Sequence, residues 1–272
     1  VPIRMTLVPG LVSREELPSA IASNSIAFNV SRLVGPALAG FIISVWGVAT
    51  AFAVNGVSYI GILVAVLIIR LRPRERKTKA ASDVFSELAD GVRYAVSHPT
   101  IFRLFIIVAV ASVFGRGALE MLPAFADAVF GGDASTLALL TSSVGGGAII
   151  AGLVLSRRGG QITVQTVRLA VIIAGLIIAA FGYNDDLRVA VPMVVALGII
   201  LTFCGVGSQI LMQNMVDDEV RGRVTSLWGM IAFGGTALGS LVVGAAADAF
   251  DLQMTIVVTG LLCFVAAFLS SP

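Results

Sequence analysis

Charge is scarce in this sequence: Asp, Glu, Lys and Arg make up only 12% of its 272 residues, about half the share of an ordinary globular domain. So sparse a charge cannot cover a soluble surface of this size. There is a single histidine, His98, beside Pro99, and there are only two cysteines. Cys204 and Cys263 each lie inside an apolar run, where a thiol packs as a small hydrophobe, so neither a disulfide nor a thiolate metal site is expected. The chain has no H-E-x-x-H or G-x-S-x-G, and the glycine run 145–147 lacks the Lys-Ser/Thr of a phosphate-binding loop, which argues against an integral membrane enzyme. A net charge of +2 gives no electrostatic reason to expect nucleic acid. No cofactor and no metal is expected.

What is abundant is hydrocarbon: 57% of residues are hydrophobic, and they come in long runs. A helix needs about 20 mainly apolar residues to cross a bilayer core. Eight such runs are present, at 26–46, 49–69, 103–124, 134–156, 164–183, 190–211, 224–247 and 252–270. Their connectors alternate in charge. Arg4 and Arg14, then Arg70, Arg72, Arg74, Arg76, Lys77, Lys79 and Arg93, then Arg157 and Arg158, then Arg221 and Arg223 fall on one side; Asp127 and Asp133, Asp185 and Asp186 with a single Arg188, and Asp248 and Asp251 fall on the other, with the short Trp46-Gly47-Val48 turn. Basic loops are retained in the cytoplasm, so the alternation sets the orientation and supports the span count together. The expectation is an all-α, polytopic helix bundle in a cytoplasmic membrane.

The longest connector divides the chain into residues 1–71, a linker at 72–102 and a six-span block at 103–272. Within the linker, Ser82 is placed to cap a short amphipathic helix over 82–96 that carries Val84, Phe85, Leu88, Val92 and Ala95 on one face. That face either lies on the membrane surface or packs against the ends of the spans.

Residues 11–40 have an echo in 215–244: each runs from a charged cluster through Ile-Ala-Phe to a glycine step, Gly35-Pro36-Ala37-Leu38 against Gly235-Thr236-Ala237-Leu238. An internal echo at this spacing is what a transporter built from two parallel halves contains. If the six-span block is one half, four further spans are expected ahead of Val1, and the eight present correspond to the fifth to twelfth of twelve.

These features resemble the major facilitator superfamily. RLVGPALAG (32–40) is similar to its antiporter motif, G-P-x-x-G-G, with Ala39 in place of the first glycine of the final pair. LVSREELPSAIASNS, SELADGVRYAVSHP and QNMVDDEVRGRV resemble the branch that holds bacterial enterobactin exporters and macrolide efflux pumps. The resemblance implies a monomeric secondary transporter moving a small-molecule substrate by alternating access, with protons as coupling ion. Its expected cargo is an amphipathic drug or a siderophore, moved outward, an importer on the same fold being the alternative. By the same resemblance, Gly35, Pro36 and Gly40 form a bent, smooth face that seals the two halves on one side, and Asp217, Asp218, Glu219, Arg221 and Arg223 form a cytoplasmic gate loop. The residues alone support a charge-paired latch in that loop over a metal site, because Arg221 and Arg223 flank the acids.

Ionisable groups inside a span are functional candidates by default. Arg116 and Glu120, in FGRGALEML, sit four residues apart on one helix face, either as a proton-coupling pair or as an interfacial ion pair. Arg32 either snorkels to the interface or faces a polar cavity beside Asn29. Asn55, Gln209 and Gln213 complete the polar set, either lining the cavity or joining helices by hydrogen bonds.

Overall fold

A computed structural model describes residues 17–68, 84–158, 162–217 and 220–270. The described residues form helices from end to end, in the order α1 (Leu17–Ile68), α2 (Val84–Ser97), α3 (Pro99–Val110), α4 (Ala134–Arg158), α5 (Val164–Gly182), α6 (Leu187–Met215), α7 (Arg221–Gly229), α8 (Gly235–Ala249) and α9 (Leu252–Leu269). α3 continues through a π-helical stretch, Ala111–Arg116, and short turns into a second, Phe125–Val129, so that Pro99–Val129 is one membrane-length rod. A third π-helical stretch, Met230–Gly234, joins α7 to α8.

Among the described residues six helical segments are long and apolar enough to span a membrane, and they match the six runs expected from residue 103 onward. Three are longer than hydropathy suggested: Pro99–Val129 against 103–124, Leu187–Met215 against 190–211, and Gly222–Ala249 against 224–247. Helical hydrogen bonding carries on past the hydrocarbon edge, where the residues become polar and no longer register as apolar. The first two expected runs both fall in α1, whose helix breaks at Gly47 (φ 82°, ψ 168°), inside the expected Trp46-Gly47-Val48 turn. That backbone region is open to glycine and strained for other residues. Beyond the break, Ala49–Ala65 is an apolar helix shorter than membrane length. The backbone stays helical through Gly35 and Pro36, so the break in this helix is at Gly47 instead of at the Gly-Pro pair.

The acidic connectors serve as helix caps. Asp133 Oδ1 accepts from the Ser135 amide (2.8 Å), Asp186 Oδ1 from the Arg188 amide (2.8 Å) and Asp251 Oδ1 from the Met254 amide (2.8 Å). Each carboxylate satisfies amides that the helix start leaves unpaired and places negative charge at the positive end of the helix dipole. Hydrogen bonds from the Ser135 side chain and amide hold the Asp133 carboxyl below its ordinary range. At the opposite end, α5 starts with a reciprocal cap, Thr166 N to Thr163 Oγ1 (3.2 Å) and Thr163 N to Thr166 Oγ1 (3.0 Å).

Tight contacts rest on glycine. A Cβ on Gly198 would collide with the Val144 carbonyl, and one on Gly147 with the Val195 carbonyl, so α4 and α6 cross backbone to backbone. Gly175 and Gly260 do the same for α5 and α9, where a Cβ on Gly175 would meet Phe264 N at 2.5 Å. Lipid is as apolar as leucine, so close van der Waals contact takes over much of the work that water exclusion does in a soluble core. Leu169, Leu176, Leu241 and Phe268 remain exposed, the last two at 70% and 60%, as a lipid-facing surface requires.

Candidate functional site

Two apolar clusters fill the six-span block. One, toward the basic connectors, includes Ile101, Leu104, Val108, Ala111, Val167 and Cys204; the other, toward the acidic connectors, includes Ala118, Leu122, Phe125, Phe181 and Leu201. Phe125 and Phe181 pack at 4.7 Å between ring centroids within the second. Arg116 lies at the seam between them.

It is the last residue of the π-helical stretch Ala111–Arg116 and is half-buried. Its Nη2 donates to the Leu201 carbonyl on α6 at 3.4 Å. A Cβ on Gly205 would come within 3.0 Å of the same nitrogen, so the missing side chain at 205 is what makes room for the guanidinium. Glu120 follows one helical turn later, its amide bonded to the Arg116 carbonyl at 3.2 Å. Its side chain is exposed, and no ion pair joins it to any described residue. The expected neighbours along the helix are therefore found, with the cation turned toward α6 and the carboxylate open.

π-helical turns are frequent at functional positions, because the wider turn re-aims side chains and leaves backbone groups looser. Here two such stretches come together. α8 packs on Ala111–Arg116: a Cβ on Gly235 would meet Ser112 Cβ at 2.9 Å, one on Gly239 would collide with the Val113 carbonyl, and one on Gly117 would meet Gly239 C at 2.9 Å. The glycine step of the internal echo, at Gly235 and Gly239, is thus a helix-packing face.

Gln209 and Gln213 are half-buried on α6, four and eight residues beyond Gly205, so they continue the Arg116-facing side of that helix toward the basic end. Asn55 is exposed on α1. Gly35 is also exposed, and a Cβ there meets nothing among the described residues. Asn29, Arg32, Pro36 and Gly40 lie within α1, but their side chains fall outside the described residues.

In the gate loop, Asp217 Oδ2 accepts from the Tyr94 hydroxyl at 3.3 Å. Arg223 is half-buried at the start of α7, and a Cβ on Gly91 would touch its carbonyl at 3.4 Å. Asp218, Glu219 and the Arg221 side chain lie outside the described residues, as does Ser82. The linker helix α2 thus rests on α7, with Gly91 and Ala95 buried. Val92, expected on the same apolar face, is 43% exposed: contact with α7 uses the small residues, which allow closer approach. His98, the single histidine, stacks on Tyr94 at 4.1 Å, with Nδ1 2.8 Å from the Tyr94 carbonyl, and serves the junction between α2 and α3.

Two polar features escaped the sequence. Trp228 Nε1 donates to Ser208 Oγ at 3.2 Å, both residues buried, linking α7 to α6. The signal was available: a buried indole N–H needs an acceptor. Arg168 is a charge inside the run 164–183, and its half-buried side chain leaves Nε and Nη1 buried without a hydrogen-bond partner. Cys204 and Cys263 are buried and free, each with Sγ near a backbone carbonyl of α5, as packing thiols should be.

Rods of membrane length, a cation set into a π-helical turn and close glycine crossings define a polytopic helical membrane protein with a polar seam through its core. Residues 1–271 match the family described as transmembrane secretion effector. The chain therefore belongs to that family, within the major facilitator superfamily, whose members are transporters and not enzymes. It is 24% identical over 96% of its length to the staphyloferrin A transporter of Staphylococcus aureus, covering 65% of that protein. It is 23% identical over 93% of its length to the multidrug efflux pump Tap of Mycolicibacterium fortuitum, covering 63%. With macrolide efflux protein A of Enterococcus faecalis it shares 21% identity over 85% of its length, covering 72%. The chain thus spans slightly less than two thirds of the first two relatives. A crystal structure of a bacterial homologue of the human lysosomal transporter Spinster, inward-facing and unoccupied, shares the fold with a TM-score of 0.68 at 16% identity, over 97% of this chain and 72% of that one.

Proposed function

We propose that the full-length protein is a proton-coupled exporter of amphipathic compounds, drugs or a siderophore, working by alternating access as a monomer in the bacterial cytoplasmic membrane. In this reading the six described spans form the C-terminal half, α1 supplies the last two spans of the N-terminal half, and the basic connectors face the cytoplasm. The observation that carries it is Arg116, a cation held half-buried at a π-helical seam between two apolar clusters, one turn from the open carboxylate of Glu120. Protonation of Glu120 removes a negative charge beside a fixed positive one and so shifts the balance between inward- and outward-facing states. The relatives named for efflux of drugs and macrolides support export, and the one named for staphyloferrin A supports a siderophore as cargo. The gate reading for Asp217 and Arg223 is supported by the linker helix resting on both sides of that loop.

The test is intracellular accumulation in cells without their own efflux pumps, using a macrolide, a lipophilic cation dye and a catecholate siderophore. Expression of the full-length protein is expected to lower accumulation of at least one of them, and a proton uncoupler to restore it. Unchanged accumulation of all three, with the protein present in the membrane, would count against export of this class.

A further inference from the structure

Trp228 and Ser208 are both buried, and the transport reading uses neither. An indole N–H only donates, so Ser208 Oγ is the acceptor of the 3.2 Å bond from Trp228 Nε1, and its own proton is left to donate. That proton goes to the Gly205 carbonyl, three residues back on α6, at 2.9 Å. The chain of bonds therefore has one direction, from α7 into the backbone of α6. A hydroxyl bonded back to its own helix adjusts the geometry of that turn. In a low-dielectric interior, linked bonds of this kind strengthen one another, and breaking one leaves a costly unpaired group.

Gly205 is also where the Arg116 guanidinium rests: a Cβ there would stand 3.0 Å from Nη2, and the same nitrogen donates to the Leu201 carbonyl one turn further back. Leu201, Gly205 and Ser208 are four and three residues apart, so they share one face of α6. The other end of the chain leads back to the same cation. The π-helical stretch Met230–Gly234 begins two residues beyond Trp228. Directly after it, Gly235 and Gly239 press on Ser112 and Val113, in the π-helical stretch that ends at Arg116. Met230–Gly234 has no buried residue, and a Cβ on Gly234 would meet nothing within 4 Å, so this joint adds little packing of its own. Trp228 ties two sides together: α6, which receives the guanidinium, and the α7–α8 segment, which backs the stretch that carries it.

We infer that Trp228 is a positioning residue for Arg116: its hydrogen bond to Ser208 fixes the turn of α6 on which the guanidinium rests. Its effect on transport rests on the reading of Arg116 as part of the coupling pair; its effect on the place of the side chain does not.

The test uses the full-length protein and two readouts. The first is a double-mutant cycle in melting temperature, which does not depend on transport. Trp228→Phe keeps an aromatic ring without the N–H, and Arg116→Met keeps a long side chain without the guanidinium. Trp228→Phe is expected to lower the melting temperature by about 2 °C or more in wild type, and by less than half as much in the Arg116→Met background. Cys204→Ala is the control background: Cys204 adjoins Gly205 in sequence, but its thiol is turned to the Val167 carbonyl of α5, so Trp228→Phe should cost there what it costs in wild type.

The second readout is the export kinetics, in proteoliposomes, of whichever macrolide, dye or siderophore the wild type moves. Trp228→Phe should lower the maximal rate by about threefold or more with KM for the compound unchanged, because the substrate still binds and the coupled step is what slows. Ser208→Ala removes the acceptor of the same bond and should do likewise, and the double variant should be no slower than the slower single one. Coupling in the melting cycle together with full export by Arg116→Met would uphold the positioning and overturn only the transport role of Arg116. Equal losses of stability from Trp228→Phe in wild type and in Arg116→Met would make the indole a space-filling group and overturn the inference. So would full-rate export by Trp228→Phe where Arg116→Met exports nothing.

Discussion

Alanine at Gly239 is expected to destabilise the six-span block, whereas alanine at Gly229 should stabilise it. Both glycines lie in the same membrane-length segment, Gly222–Ala249, and glycine in a helix is less favourable than alanine by about 0.5–1 kcal/mol. At Gly229 a new methyl group meets nothing within 4 Å, so the helix-propensity gain stands alone. At Gly239 the methyl runs into the Val113 carbonyl, with Val113 C at 2.8 Å and Cα at 2.9 Å. The obstacle is backbone, which cannot rotate aside, and it belongs to the π-helical stretch that carries Arg116. Overpacking of this kind costs about 1–3 kcal/mol, several times the propensity gain. Thermal unfolding of the two purified variants checks the opposite signs. A Gly239→Ala protein as stable as wild type would show that α8 does not press on this stretch.

Glu120→Gln is expected to reduce export at least tenfold, and to do so without loss of stability. The side chain is exposed and has no ion-pair partner among the described residues, so its neutralisation should fall within about 0.5 kcal/mol of wild type, as surface changes do. A carboxylate of purely structural value would show the reverse, a lower melting temperature with export intact. Arg116→Met should also lose export. Because that guanidinium fills the space above Gly205 and donates to the Leu201 carbonyl, some stability should go with it. Measured together, accumulation and melting temperature separate the coupling carboxylate from the cation that holds its field. Glu120→Gln with full, uncoupler-sensitive export would remove this carboxylate from the mechanism.

Sequence patterning located the six spans of the block from residue 103 because a bilayer imposes a single length and a single polarity on every crossing segment. The alternation of basic and acidic connectors was equally plain, but not what the acids do locally: Asp133, Asp186 and Asp251 read as markers of sidedness and prove also to be helix caps. The π-helical stretches left no trace, since neither hydropathy nor residue spacing distinguishes a wide turn from an ordinary one. They decide where Arg116 points. The glycine echo shows the limit of pattern: Gly235 and Gly239 sit hard against Ser112 and Val113 of the π-helical stretch, while Gly35, the counterpart of Gly235 in the repeat, has nothing beside it among the described residues. Arg168 was missed because the long apolar run around it concealed a single charge.

The most direct test of proton-driven export is flux in proteoliposomes containing the full-length protein and a substrate identified by accumulation. With the pH gradient imposed in one direction and then the other, substrate should move opposite to the protons each time and stop when the gradient is collapsed. Net movement at the same rate with no gradient, or in a direction that ignores its sign, would contradict proton exchange as the driving step.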